Sequence, residues 1–237
     1  MKNNRITLIM ILLFFVGLSL LLYPSLSNYY NQKVGSQAIV DYENILKNEN
    51  DSKYNKMFLE AENYNRKIFS LKNPFITYST VKGYKNLLNL NNDGMIGYIK
   101  INKIRVELPI YHGTSKAVLS KAVGHLEGSS LPVGGAGTHS VLSAHRGLPS
   151  SELFTDLDKL EIGDTFVLKV LNRELTYQVD QILIVKPGDV KALKIDGNKD
   201  YVTLMTCTPY GINTHRLLVR GVRVENAKEE IFITSEA

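Results

Sequence analysis

Cys207 is the only cysteine in this chain of 237 residues, so no disulfide within the chain can brace it. The first 40 positions contain no acidic residue. Internal repeats and low-complexity segments are missing as well. With 44% hydrophobic and 22% charged residues, the composition excludes disorder for the bulk of the chain. No basic stripe interleaved with aromatics occurs, so nothing points to nucleic acid as a partner. No group of acids has the ligand spacing of a Ca²⁺ loop, and neither a metal nor another cofactor is expected.

What the chain does have begins with residues 6–23, ITLIMILLFFVGLSLLLY, a run without a single charge. At helical rise it spans roughly 27 Å, close to the hydrocarbon thickness of a bilayer. A cleaved signal peptide and an uncleaved anchor both start this way. The run exceeds the ~7–15 residues of a secretory core, and Leu21-Leu22-Tyr23-Pro24 offers no small-x-small cleavage site, which favours the anchor. Lys2 and Arg5 then stay in the cytoplasm, and everything after Pro24 lies outside. Setting those two aside leaves 26 of the 28 basic residues against 23 acidic ones, a net charge of +3. That permits association with anionic wall polymers.

Residues 25–70 read as helical, with Val34, Ala38, Tyr42, Ile45 and Leu46, then Met57, Ala61, Tyr64 and Ile68, at three- and four-residue steps. The polar stretch Asn48-Glu49-Asn50-Asp51-Ser52 breaks this pattern and can cap a second helix. A stalk and helical cover follow from that reading. From Gly94 the period changes to two. Strands are expected at 97–104, 106–111, 140–144, 165–171, 175–185, 201–206 and 217–224, with a short helix at 151–160. Many short strands between Gly- and Pro-containing turns indicate a mostly β fold, a barrel or a sandwich.

An unpaired cysteine in an exported chain is either a small buried hydrophobe or a reactive thiol. Cys207 ends one expected strand and Arg216 begins the next. If the two pair as a hairpin, thiol and guanidinium sit at neighbouring strand ends. A permanent positive charge there favours thiolate and can stabilise a developing oxyanion. A general acid/base is still needed. His145 lies just past an apolar strand and before a Gly/Pro turn, where a rigid scaffold projects reactive side chains. His215 is its rival, but strand alternation turns it away from Arg216. His112, His125 and His139 read as structural.

Three stretches carry a resemblance: TLMTCTPYGINTHRLLVRG over 203–221, GHLEGSSLPVGG over 124–135 and SAHRGLP over 143–149, with GYIKI over 97–101 in support. Together they resemble the sortases, and in detail class C, the pilus-assembling branch. The resemblance implies an eight-stranded β-barrel on the surface of a Gram-positive cell. It implies Cys207 as nucleophile, His145 as acid/base and Arg216 as oxyanion and positioning residue, with Thr206 beside the substrate. Substrates of the family carry an LPXTG-like sorting signal, cleaved after Thr through a thioacyl-enzyme. The acceptor is a pilin lysine in class C and a peptidoglycan precursor in housekeeping relatives.

The same branch carries a lid with an Asp-Pro-aromatic motif, which maps onto Asn73, Pro74 and Phe75 with Asn in place of the acid. Pro74 and Phe75 can equally serve only to turn the chain and pack on the barrel. Many members have a second span after the barrel; residues 226–237 are too polar to form one. The expected organisation is a cytoplasmic tip and anchor at 1–24, an extracellular helical segment at 25–92, a catalytic barrel at 93–225 and a polar tail at 226–237. Two rivals stand beside this reading. A papain-like protease places Cys before His, whereas His145 precedes Cys207 by 62 positions, and the caspase-type run around the Cys is absent. A non-catalytic wall-binding barrel would keep Cys207 inert.

Overall fold

The computed structural model describes residues 2–148 and 150–224, and the expected polar tail at 226–237 lies outside them. Helix α1, Lys2–Asn48, runs unbroken through Pro24. A proline inside a helix removes one backbone hydrogen bond. Apolar turns precede it, and from Asn28 onward α1 is hydrogen-bonded to the barrel. The expected division at residue 24 thus coincides with no break in the backbone.

Beyond the apolar run, α1 turns Gly35, Ile39 and Tyr42 inward at helical spacing. The Tyr42 hydroxyl donates to the Ile96 carbonyl at 3.0 Å and accepts from the Leu171 amide at 2.8 Å. The polar break ends α1, and the Asn50 side chain accepts from the Lys53 amide to cap α2, Asp51–Phe69. Helix α2 buries Tyr54, Phe58, Ala61, Tyr64, Asn65 and Ile68. Asn65 holds both backbone groups of Leu131, at 3.0 and 2.7 Å. A single turn, α3, follows at Pro74–Thr77.

Eight strands close into a barrel: β1 Met95–Ile101, β2 Val106–His112, β3 Val123–His125, β4 Thr138–Ser143, β5 Thr165–Val170, β6 Arg173–Val185, β7 Asp200–Thr208 and β8 His215–Val224. A short helix, α4, Lys116–Leu119, lies between β2 and β3. The order around the barrel is β1-β2-β3-β4-β7-β8-β6-β5, and β5 pairs back to β1. Ile99, Leu168, Leu204 and Val219 are fully buried in the core, where Phe166 stacks on Tyr177.

Strand β3 was not anticipated. It has only three residues, too few for a visible period of two, and exists because it bridges β2 and β4. The helix expected at 151–160 is instead a series of turns with one 3₁₀ turn at Leu157–Lys159. Leu153 has φ +41, which no α-helix tolerates. Leu153, Phe154, Leu157 and Leu160 are buried, so the apolar spacing that mimicked a helix face belongs to a loop plugging one end of the barrel.

Candidate active site

Parallel strands β4 and β7 are in register at Ser143↔Met205. One residue further on, the Ala144 amide donates to the Met205 carbonyl at 3.1 Å, and the Thr206 hydroxyl donates to the Ala144 carbonyl at 2.8 Å. These two bonds fix the strand ends, so His145 leaves β4 level with Cys207. On the other side of β7, Cys207 lies directly opposite Arg216 of antiparallel β8. Directly opposed residues share a face, with Cβ atoms ~5 Å apart. Cys207 and Arg216 thus lie side by side at one end of the barrel, with His145 two residues past the end of β4, and each of the three is half-buried.

His215 pairs with Thr208 and faces the other way, with its Nδ1 3.0 Å from the Thr214 hydroxyl. Burial lowers the pKa of His145 from the ordinary histidine value and favours the neutral ring. Arg216 donates to the carbonyls of Asn213 and His215, at 3.3 and 3.0 Å, so its own loop orients the guanidinium. An imidazole, a thiol and a fixed guanidinium in this relation can carry out nucleophilic acyl chemistry.

Two neighbours escaped the sequence reading. Arg146 donates to the Thr155 carbonyl, the Thr208 hydroxyl and the Asp158 carboxylate, tying the loop after His145 to the end of β7. Gly147 lies against the Tyr210 ring; a Cβ there would sit 2.6 Å from a ring carbon. Both lie inside the stretch at 143–149, but nothing in the stretch itself distinguishes a brace from a bystander.

The segment Asn73-Pro74-Phe75 lies over Gly128, where a Cβ would be 2.9 Å from the Pro74 carbonyl oxygen and 3.0 Å from Phe75 Cα. Phe75 packs against a cluster of Val141, Leu193 and Leu218 with Met205 alongside. Met205 and Leu218 each lie two residues from Cys207 and Arg216 on the same strand face, so the ring packs one step along the strands from that pair. Asn73 is exposed, and its side chain caps nothing. Among the described residues, Arg216 forms no ion pair.

A sortase-domain family model matches residues 99–224, more than half of the chain. The chain belongs to the sortase family. Sortase D of Bacillus subtilis (strain 168) is 34% identical over 131 residues, 54% of this sortase and 63% of the relative. The chain thus spans just under two thirds of that relative's length. The crystal structure of sortase C1 from Streptococcus agalactiae is similar at 49% identity and TM-score 0.73, over 80% of this sortase and 99% of that chain. The structure of Clostridium perfringens sortase C with its C-terminal cell wall sorting motif is similar at 46% identity and TM-score 0.70, over 81% and 100% of the two chains. Both of these solved neighbours are class C sortases.

The remaining histidines are structural. His125 is fully buried between the Tyr84 hydroxyl at 2.8 Å, the Ser130 carbonyl at 2.8 Å and the Ser129 hydroxyl at 3.1 Å. His139 bridges the Lys194 carbonyl at 2.9 Å and the Thr203 hydroxyl at 2.7 Å. Burial depresses both pKa values to about 4. His112 bonds the Gly94 carbonyl at 2.9 Å and is likewise shifted down by burial.

Proposed function

We propose that this sortase is a cell-surface cysteine transpeptidase that cleaves an LPXTG-like sorting signal after Thr and transfers the acyl group to a pilin lysine. The observation that supports the reading is strand register: Cys207 of β7 lies opposite Arg216 of β8, and β4, paired in parallel with β7 up to Ser143↔Met205, ends two residues before His145. His145 takes the thiol proton. The thiolate attacks the threonyl carbonyl carbon, and Arg216 stabilises the oxyanion that forms. Collapse breaks the C–N bond, the imidazolium protonates the departing amine, and a thioester on Cys207 remains. The incoming amine attacks that thioester, gives its proton to His145 and releases the thiolate. The class C neighbours support the pilin lysine as acceptor over a peptidoglycan precursor.

Residues 6–23 span the membrane in this reading; the long, apolar N-terminal helix supports the span. Segment 73–75 acts as a lid that limits water and substrate access. Without an acid at Asn73, closure depends on Phe75 packing and on the seat at Gly128. The test is ligation: incubation with a sorting peptide and a lysine-bearing acceptor peptide yields an isopeptide-linked product. Hydrolysis alone, in the presence of saturating acceptor, would make the chain a protease instead.

A further inference from the structure

Asn28, whose side chain accepts from the Glu152 amide at 3.0 Å, lies five positions beyond Tyr23, the end of the apolar run. Five helical residues cover about 7.5 Å, close to the thickness of one headgroup layer. Asn31 donates to the Ser150 carbonyl at 2.8 Å, and Gln32 donates to the Glu152 carboxylate at 3.3 Å. The helix therefore grips the barrel as soon as it leaves the hydrocarbon, without an intervening stalk. The gripped loop is the one that follows His145. Leu148 lines a small surface cavity together with Pro24, Asn28 and Tyr29.

That contact continues to the mouth of the site. Gly147 touches the Tyr210 ring, which belongs to the turn between β7 and β8. The turn is closed by the Ile212 and Asn213 amides on the Pro209 carbonyl, at 3.2 and 2.9 Å. At its tip Tyr210 is 59% exposed and Ile212 69% exposed. At the foot of α1, Tyr23, Leu26, Tyr29 and Tyr30 are also exposed. Tyrosines concentrate at bilayer interfaces because the ring is apolar and the hydroxyl wet.

We propose that the β7–β8 turn rests on the lipid headgroups through Tyr210 and Ile212, beside the foot of α1. The mouth at Cys207 then opens at the bilayer surface and receives chains presented there. This rests on the membrane-spanning reading of residues 6–23.

The test uses the full chain with Cys207→Ala, reconstituted in phosphatidylglycerol-containing nanodiscs. A nitrobenzoxadiazole label is attached in turn at Ile212→Cys, at Val16→Cys in the span, and at Asn198→Cys at the opposite end of the barrel. Phospholipids brominated in the upper acyl chain serve as quenchers. The expected result is loss of most emission at 16 and 212 and none at 198. Quenching at 16 without quenching at 212 overturns the inference while leaving the span intact. No quenching at 16 removes the span itself, and the inference with it. A shift at 212 caused by a soluble sorting peptide in detergent would also overturn it, making the turn a peptide-binding element.

Discussion

Replacing Gly128 with alanine should unseat the segment that covers the groove. The new methyl carbon would sit 2.9 Å from the Pro74 carbonyl oxygen, 3.0 Å from Phe75 Cα and 3.2 Å from a Phe75 ring carbon. Two of these are backbone atoms of the segment, so rotating a side chain gives no relief. Overpacking of this kind costs about 1–3 kcal/mol, and moving segment 73–75 away removes it. The open population should therefore rise about 5- to 150-fold, at tenfold per 1.4 kcal/mol. Gly128 also has φ +92, which costs an alanine about 1–2 kcal/mol whether the lid is open or shut. That second cost lowers overall stability without favouring either lid state.

The assay is the alkylation rate of Cys207 by iodoacetamide, read by intact mass, with circular dichroism to establish folding. Gly128→Ala should react several-fold faster than wild type. In a chain lacking residues 73–75, the same substitution should change nothing, because the atoms it clashes with are gone. A folded Gly128→Ala that alkylates at the wild-type rate, while the deletion reacts faster, would refute the seat. An equal rate in all three would return Pro74 and Phe75 to simple packing.

Arg216→Lys should lower kcat/KM by at least a hundredfold despite retained charge, since a point charge replaces a planar donor; near-normal turnover would count against its role. Thr206→Val removes the hydroxyl that bonds the Ala144 carbonyl, and should cost about 1 kcal/mol in urea unfolding together with a drop in kcat. A stability loss with unchanged kcat would show that the β4–β7 lock does not position His145. The pH dependence of stability follows from His125 and His139, whose folded pKa of about 4 lies below the unfolded value near 6.5. Their neutral forms stabilise the fold fully above about pH 6.5, and this contribution is lost as pH falls toward 4, with a slope approaching about 2.7 kcal/mol per unit. Urea midpoints that stay flat between about pH 6.5 and 5, above the carboxylate range, would contradict that burial.

Much of the barrel was legible because its strands alternate and end at glycine or polar turns. Val106–His112 and Thr165–Val170 lie within a residue of their expected bounds. The break between α1 and α2 was visible because Asn50 is a strong cap. What escaped depends on tertiary context. Val123–His125 is a strand only through its neighbours, and residues 151–160 carry helical spacing that the barrel end uses for a plug. At the site, the facing of Cys207 and Arg216 followed from a hairpin and strand alternation. The preference for His145 over His215 rested on its place past an apolar strand and on strand alternation; the parallel pairing of β4 with β7, between segments some 60 residues apart, is announced by no local pattern. Arg146 and Gly147 act across loops and left no local signal.

The most direct test of the account is the intact mass of the protein after incubation with an LPXTG-type peptide. The expected result is an acyl adduct in wild type, absent from Cys207→Ala, that hydroxylamine releases as the peptide hydroxamate. An adduct that survives in Cys207→Ala, or peptide cleavage with no adduct and no hydroxamate even after residues 73–75 are removed, would contradict it.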